Sequence, residues 1–140
     1  PQLVEKAYRK AFPNASVPIQ FVGSGPIKVT LPHTPSISNQ AVYERLQKAD
    51  ALVMGSIWEE NYPVILLEAK AVGCPVVAPR AGGIPEIIED GVDGILYTLG
   101  KVDELSQALQ AILKQKWNVR PPKTSASMAL EYEALYEGAL

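Results

Sequence analysis

Residues 58–94 read WEENYPVILLEAKAVGCPVVAPRAGGIPEIIEDGVDG, and this stretch decides the fold. Its first apolar segment predicts a helix over 61–72 that stops at Gly73, because glycine favours the end of a helix. The apolar run that follows predicts a short buried strand over 76–78, and a Gly-Gly pair then turns the chain into another short helix. Helix and strand therefore alternate through the stretch.

The same alternation continues on both sides of this stretch. Predicted helices cover 3–11, 36–48 and 103–115, and predicted strands cover 19–23, 27–31, 51–56 and 95–99. A proline-stiffened linker at 120–123 precedes a last predicted helix. Alternating strands and helices indicate an α/β fold with a doubly wound, mostly parallel sheet. We expect a single domain over 1–140, in which 120–140 form the linker and the C-terminal helix.

Two of the predicted strands lie too close together for a parallel crossover. Only about three residues separate 19–23 from 27–31, whereas a parallel connection needs roughly a dozen residues. The pair is therefore predicted to be a hairpin or one bent strand, unless the chain is shortened at this point.

Composition excludes several classes of site. The chain has 140 residues, with 13 Lys and Arg against 15 Asp and Glu, and its net charge of -2 disfavours a nucleic-acid partner. Cys74 is the only cysteine and His33 the only histidine, so one chain cannot form a disulfide or a Cys/His zinc site. No apolar run approaches the roughly 20 residues that span a bilayer, and no leader opens the chain. We expect a cytoplasmic domain.

Two glutamates at the start of the predicted helix are the candidates for chemistry. In an open parallel sheet, ligands bind beyond the carboxyl ends of the strands, where loops lead into helix N-termini. Glu60 ends such a loop, Asn61 is a predicted N-cap, and Glu68 lies about two turns further on and points back toward the helix start. Carboxylates accept hydrogen bonds from sugar hydroxyls, while backbone amides hold phosphate. The spacing fits a nucleotide-sugar pocket, and it also fits two solvated glutamates.

Three motifs in a fixed order give a more specific signal. The chain has Glu60, seven residues and Glu68, then AVGCPVVAP, and then GGIPE ending at Glu86. In this order the motifs resemble the C-terminal, donor-binding domain of GT-B glycosyltransferases, particularly the retaining family 4 enzymes (glycosyl transferases group 1). The resemblance covers about 49–113 well and implies the Rossmann-like half of a GT-B fold.

The resemblance implies roles for the residues around the two glutamates. Glu68 would accept hydrogen bonds from the ribose hydroxyls of the nucleotide, and Glu60 would lie beside the donor hexose as the catalytic residue. Pro63 stands where many relatives have glycine, and it restricts the loop without offering an N–H. Sugar hydroxyls or the distal phosphate would be held by the backbone N–H groups of Asn61, Tyr62 and Val64.

The resemblance also assigns two earlier segments. Gly23, Ser24 and Gly25 match the glycine turn that family members place near the diphosphate. Leu31 to His33 lie where the nucleotide base usually meets backbone groups. The implied donor site therefore draws on three separate segments of the chain.

The chain departs from the family in what precedes its first helix. Family domains open with a strand that ends in a Gly-Arg loop, followed by a lysine, and this cationic pair neutralises the diphosphate. The sequence given begins with the first predicted helix, so we expect this domain to lack the first strand and both cations, and Arg80 is a candidate substitute. The acceptor-binding N-terminal domain is also absent, so we expect catalysis to need that domain or a partner chain.

The resemblance implies a glycosyltransferase that moves a hexose from a nucleoside diphosphate sugar to a hydroxyl acceptor with retention. No metal ion or other cofactor is expected, and the sequence has no Asp-x-Asp pair to hold a divalent ion. Any membrane contact would come through other parts of the complete enzyme. Two alternatives remain open: a non-catalytic nucleotide-sugar-binding module completed by a partner chain, and a GT-B-type nucleotide-sugar epimerase.

The missing first strand predicts self-association, because an uncapped sheet edge invites pairing with another chain. We expect the mass measured by light scattering to rise with protein concentration. A monomeric mass across a wide concentration range would contradict this expectation.

Overall fold

The computed structural model describes residues 1–14, 16–25 and 29–137. Within these residues the chain forms six helices and five short strands. The helices are α1 (Gln2–Ala11), α2 (Asn39–Leu46), α3 (Val64–Ala71), α4 (Ile84–Ile87), α5 (Val102–Ile112) and α6 (Ser125–Glu137). The strands are β1 (Phe21–Val22), β2 (His33–Thr34), β3 (Leu52–Val53), β4 (Val76–Pro79) and β5 (Gly94–Tyr97).

Every strand pairing in the described residues is parallel. β1 pairs with β2, and β4 lies between β3 and β5 in a second sheet. The register places Leu52 opposite Val76, and Val76 opposite Gly94. Only glycine fits at Gly94, because an added Cβ would lie 1.9 Å from the Val76 carbonyl oxygen. The expected parallel α/β fold is confirmed, with its strands divided between two sheets.

Helices cover both faces of the three-stranded sheet. On β4, Val77 belongs to the core formed with α1 and α5, whereas Val76 and Ala78 belong to the core formed with α2, α3 and α4. On β5, Tyr97 joins the first core and Leu96 the second. This two-sided burial is the doubly wound arrangement, and it explains why the β4 segment is apolar at every position.

The first two strands differ from the prediction. β1 lies inside the predicted 19–23, but β2 lies beyond the predicted 27–31, of which residues 27 and 28 fall outside the described residues. The pair is parallel, with Phe21 opposite His33, so both the hairpin and the bent strand are wrong. The connection is long enough for parallel pairing because β2 begins only after Pro32.

Other boundaries also differ from the prediction, and two of them lie beside the candidate glutamates. α3 begins at Val64 rather than at Asn61, so Asn61 is not its N-cap; Pro63 takes that position, and no side chain caps the helix. The strand expected over 51–56 is reduced to β3, which is half-buried rather than buried on both faces. Its partial exposure follows from its place at the end of the described three-stranded sheet, where only one neighbouring strand covers it.

The C-terminal helix α6 lies outside the two cores. It has 13 residues, and none of them is buried. Its exposed large apolar side chains are Met128, Leu130, Tyr132, Leu135 and Tyr136. Neither α6 nor any other helix in the described ranges has the length and apolar character needed to cross a membrane.

A buried ion pair ties α3 to its neighbours. Lys70 donates from Nζ to Asp93 Oδ2 at 2.7 Å and to the Ile87 carbonyl at 2.8 Å. Asp93 is fully buried and also accepts the backbone N–H groups of Glu89 at 3.1 Å and Arg120 at 3.0 Å. Burial raises the pKa of Asp93, but the hydrogen bonds from Lys70 and from the two backbone groups outweigh it and hold this pKa below its ordinary 3.8.

We expect acid to destabilise the fold through Asp93. Because its pKa is lowered in the folded chain, its ionised form stabilises the fold above the unfolded-state pKa, and this contribution is lost as pH falls through the folded-state value. Near neutral pH, Asp93→Asn should lower the free energy of unfolding by about 3–5 kcal/mol, since it leaves the Lys70 ammonium buried without a counter-charge. The difference from wild type should shrink below about pH 4 in urea titrations followed by circular dichroism.

Asp103→Asn is the matched control for this substitution. Asp103 pairs with Lys10 at 2.8 Å on the exposed surface, where ion pairs contribute little. The control should therefore stay near wild type at every pH. A difference between wild type and Asp93→Asn that does not change with pH would contradict the prediction.

Candidate functional site

The loop after β3 holds Glu60 by both its side chain and its main chain. The Ser56 hydroxyl donates to Glu60 Oε1 at 3.0 Å, and the same hydroxyl oxygen accepts the Trp58 N–H at 3.3 Å. The Glu60 carbonyl accepts the Gly83 N–H at 2.9 Å. The second carboxylate oxygen of Glu60 has no partner among the described residues, so it is available to a ligand hydroxyl.

Two glycines allow the loops after β3 and β4 to touch. Gly82 has a left-handed φ of +54°, and an added Cβ there would lie 2.3 Å from the Glu60 carbonyl oxygen. At Gly83 an added Cβ would lie 1.8 Å from the Asn61 carbonyl oxygen. This contact explains why α3 does not start at Asn61, whose backbone packs on the glycine turn before the chain enters the helix.

The second glutamate lies on α3. Glu68 is half-buried, and its carboxylate makes no hydrogen bond or ion pair with the described residues. Lys70 follows two positions later, and residues two apart in a helix point roughly 200° from each other. Since Lys70 reaches into the core toward Asp93, Glu68 points away from that anchor.

The N-terminus of α3 is open to solvent. Tyr62 and Val64 are 54% and 63% exposed, and Trp58 in the preceding loop is 74% exposed. Asn61 is also exposed, while Pro63 is half-buried. The first N–H groups of a helix have no carbonyl partner within it, and they carry partial positive charge. This end of α3 therefore offers amide donors directly after the Glu60 carboxylate.

The parallel pairing of β1 with β2 brings a second group of predicted residues together. His33 Nε2 lies 2.7 Å from the Gly23 carbonyl oxygen, and because a carbonyl only accepts, the ring nitrogen donates. The Gly23 N–H donates to the Thr34 carbonyl at 3.0 Å. Ser24 Oγ lies 2.9 Å from Ser36 Oγ and accepts the Ser36 N–H at 3.2 Å. The ends of the two strands thus form one hydrogen-bonded unit.

The other residues predicted to lie near the diphosphate or the base differ in their exposure to solvent. Gly25 and His33 are exposed, and His33 belongs to β2. Leu31 is half-buried and packs against the core formed with α1 and α5. The side chain of Leu31 is therefore engaged in the fold, and only its backbone is left for contact with a ligand.

The charge of Arg80 is already balanced within the chain. Its guanidinium forms an ion pair with Asp90. Arg80 lines a cleft of about 330 Å³ beside α4, together with Lys70 and Arg120, and those two cations are also paired with carboxylates. Arg80 is therefore paired with an acidic side chain, while its own side chain remains half exposed.

Other chemistries find little support in the described residues. In 1–14, 16–25 and 29–137, no three His, Cys, Asp or Glu side chains form a group that could hold a metal ion. Burial raises the pKa of the Cys74 thiol to about 11, so it remains protonated near neutral pH. A second cleft, of about 320 Å³, lies near the amino ends of β3 and β4 and is lined by Asp50 and Pro75, away from the two glutamates.

Sequence reasoning missed the residues that hold the site in place. In the sequence, Ser56 only ends the strand predicted over 51–56, and its position four residues before Glu60 is the one signal that connects the two residues. Two successive glycines signal a close approach of backbone, but they do not say which loop approaches. Lys70 and Asp93 are 23 residues apart, and no local pattern pairs them.

Comparison with known proteins places the chain in a family. Residues 27–129 match the family described as Glycosyl transferases group 1. Sulfoquinovosyl transferase SQD2 of Arabidopsis thaliana is 33% identical over 110 residues, which cover 70% of this chain and 21% of that protein. D-inositol 3-phosphate glycosyltransferase of Mycobacterium sp. (strain KMS) is 32% identical over 92 residues, which cover 66% of this chain and 20% of that protein. The chain spans about a fifth of the length of these relatives.

Solved structures share the fold. Anabaena Alr3699/HepE in complex with UDP and glucose superposes with a TM-score of 0.66 at 20% identity, over 97% of this chain and 44% of that chain. Sucrose-phosphate synthase from Thermosynechococcus elongatus gives a TM-score of 0.74 at 18% identity, over 97% of this chain and 42% of that chain. The class defined by the fold is the Rossmann-like half of a GT-B enzyme. The chain itself belongs to the glycosyl transferases group 1 family.

We expect Gly83→Ala to displace the Glu60 loop. The native φ of −82° suits alanine, so the effect comes from the clash with the Asn61 carbonyl rather than from backbone strain. The substitution should destabilise the chain by about 1–3 kcal/mol and shift the backbone amide NMR signals of 59–61. Gly73→Ala is the control: its left-handed φ of +75° makes alanine costly, but its Cβ meets no neighbour, so 59–61 should not shift. Equal shifts in the two variants would contradict the contact.

Proposed function

We propose that this chain is the donor-binding half of a glycosyltransferase that transfers a hexose from a nucleoside diphosphate sugar to a hydroxyl acceptor. The observation that carries the proposal is a pair of carboxylates, Glu60 in the loop before α3 and Glu68 within α3, each with oxygen atoms that have no partner among the described residues. In the transfer, the bond between the anomeric carbon and the diphosphate breaks, a bond to the acceptor oxygen forms, and the acceptor proton leaves with the diphosphate. The proposed outcome is retention of anomeric configuration.

Glu68 is proposed to bind the ribose of the nucleotide. Its carboxylate is half-buried and makes no hydrogen bond or ion pair with the described residues, so both oxygens are free to accept from a diol. Hydrogen bonds to a charged acceptor are about twice as strong as neutral ones, which suits recognition of a neutral sugar.

Glu60 is proposed to bind the hexose and to be the catalytic residue. Ser56 holds one carboxylate oxygen and leaves the other toward solvent, and the Gly83 amide fixes the backbone. A carboxylate held in this way can orient a sugar hydroxyl at the start of α3. The carboxylates of Glu60 and Glu68 would both repel a phosphate group. The anionic part of the donor is therefore assigned to backbone amide groups.

The amide donors are proposed to carry the diphosphate without a metal ion or other cofactor. The backbone N–H groups of three exposed residues, Asn61, Tyr62 and Val64, and the glycine turn at Gly23, Ser24 and Gly25 are the candidates. Helix N-termini bind anions through free N–H groups and the helix dipole. The backbone around Leu31 and His33 is proposed to meet the nucleotide base.

The complete enzyme is proposed to need a second half. The superposition with HepE covers 97% of this chain but only 44% of the HepE chain. We therefore propose that an acceptor-binding N-terminal domain or a partner chain supplies the rest. We propose a cytoplasmic location, with any membrane contact made through that other half.

A second candidate function is a non-catalytic nucleotide-sugar-binding module. The observation in its favour is the pairing of Arg80 with Asp90, which leaves that cation unsuited to assist a departing diphosphate. Such a module would bind a nucleotide sugar. It would not transfer the sugar, even when the acceptor-binding half is supplied.

The first experiment is calorimetric titration of UDP, GDP and ADP, with UDP-glucose and GDP-mannose. Glu68→Ala should weaken the nucleotide that binds wild type, and its sugar derivative, by about tenfold or more, which corresponds to loss of a charge-assisted hydrogen bond. Glu60→Ala should leave the free nucleotide within about twofold and remove the extra affinity of the sugar derivative.

Glu133→Ala is the control, because Glu133 is exposed on α6, a helix with no buried residue. It should bind as wild type does. Saturable binding that is unchanged in Glu68→Ala would contradict the assignment of Glu68, and no binding to wild type at millimolar ligand would contradict a donor site in this chain.

A further inference from the structure

The short helix α4 connects the two glutamates of the proposed site. At its start, the Gly83 N–H donates to the Glu60 carbonyl at 2.9 Å. At its end, Lys70 Nζ donates to the Ile87 carbonyl at 2.8 Å, and Lys70 lies on the same helix as Glu68. The loop that carries Glu60 and the helix that carries Glu68 are thus attached to opposite ends of one four-residue element.

We propose that Lys70 and Asp93 are positioning residues that set the placement of Glu68 relative to Glu60. The effect of this positioning on ligand binding rests on the proposed function, because that function assigns Glu68 to the ribose and Glu60 to the hexose. Lys70 touches neither sugar; it acts through α4 on one side and through α3 on the other.

The hydrogen bonds of Asp93 hold its carboxylate, and with it the Lys70 ammonium group, in one position. We call this ion pair the Lys70 anchor. Asp93 Oδ2 accepts from Lys70 at 2.7 Å and from the Glu89 N–H at 3.1 Å, while Oδ1 accepts the Arg120 N–H at 3.0 Å. Both carboxylate oxygens are therefore occupied, in a residue with no exposed surface. Moving the Lys70 ammonium away from Asp93 would leave a buried carboxylate without its counter-charge, which is costly.

The anchor also sets the rotation of α3 about its axis. Lys70 points into the core at 10% side-chain exposure, so Glu68, two residues before it, points to the other side. If Lys70 lost its partners, the contacts of α3 with this core would be apolar ones, such as those of Leu66 and Ala69. Apolar contacts favour burial but specify rotation less strictly than directed hydrogen bonds do.

Amide hydrogen exchange, measured by NMR on the ligand-free chain, tests the connection directly. Lys70→Met removes the donor to Ile87 while keeping a long apolar side chain. We expect exchange at the Gly83 amide to accelerate at least tenfold relative to the amide of Leu109, a buried residue of α5 that reports global opening. The double variant Lys70→Met with Asp93→Asn removes both charges, so it should fold even where Lys70→Met does not, and it should show the same acceleration.

Two controls separate positioning from general destabilisation. Lys70→Arg keeps a cationic donor for Ile87 and Asp93, so it should restore slow exchange at Gly83. Lys10→Met breaks the exposed ion pair with Asp103 and should leave the ratio of the two amides unchanged. Unchanged relative exchange at Gly83 in the double variant would overturn the proposal.

Nucleotide binding provides the functional measurement. In wild type and the double variant, the ratio of dissociation constants of UDP to UDP-glucose, and of GDP to GDP-mannose, reports how well both glutamates engage one donor. We expect the ratio to fall about fivefold or more in the double variant, with the free nucleotide less affected. If wild type binds none of these probes, the proposed function fails, and the exchange measurement alone decides whether Lys70 and Asp93 position α3.

Discussion

The buried ion pair between Lys70 and Asp93 is the interaction on which the rest of this half-domain depends. It joins α3 to the segment that runs from the end of α4 to the turn before β5, and Asp93 also binds the backbone at Arg120, so three parts of the chain that are distant in sequence meet here. Burying two charges is unfavourable unless both are fully hydrogen-bonded, and here the donors around Asp93 meet that requirement. The lowered pKa of Asp93 is the consequence of those same donors.

The geometry above this pair follows from close contact between backbones. Gly82 and Gly83 bring the loop after β4 against Glu60 and Asn61, and no larger residue fits at either glycine. The loop after β3 is therefore shaped by main-chain contact as well as by Ser56. A site built this way keeps its carboxylate in place while the N-terminus of α3 stays open, as the proposed recognition of a sugar beside a diphosphate requires.

The sequence predicts the local elements well and the long-range contacts poorly. The stripe on α1, the strand β4 and the stop at Gly73 follow from periodicity and from glycine's left-handed φ of +75°, so each could be predicted from nearby residues. Asn61 was wrongly predicted as an N-cap because its backbone is engaged by Gly83, a residue of another loop. The position of β2 and its parallel pairing likewise depend on a partner strand rather than on local pattern. The two glutamates were found from the sequence, but Ser56, which holds Glu60, was not.

The distribution of charge indicates what this chain would contribute to donor binding. The carboxylates of Glu60, before α3, and of Glu68, within α3, can accept from neutral hydroxyls, whereas Arg80, Lys70 and Arg120 are each engaged by an acidic partner. These cations are thus shared with acidic neighbours, which reduces the net positive charge that they present to a diphosphate. In the proposed function, recognition by this half therefore rests on ribose and hexose hydroxyls, and the anion is held by amide dipoles. Discrimination between a nucleotide and its sugar derivative is then set by the relative position of Glu60 and Glu68, which is the quantity that α4 and its anchor control.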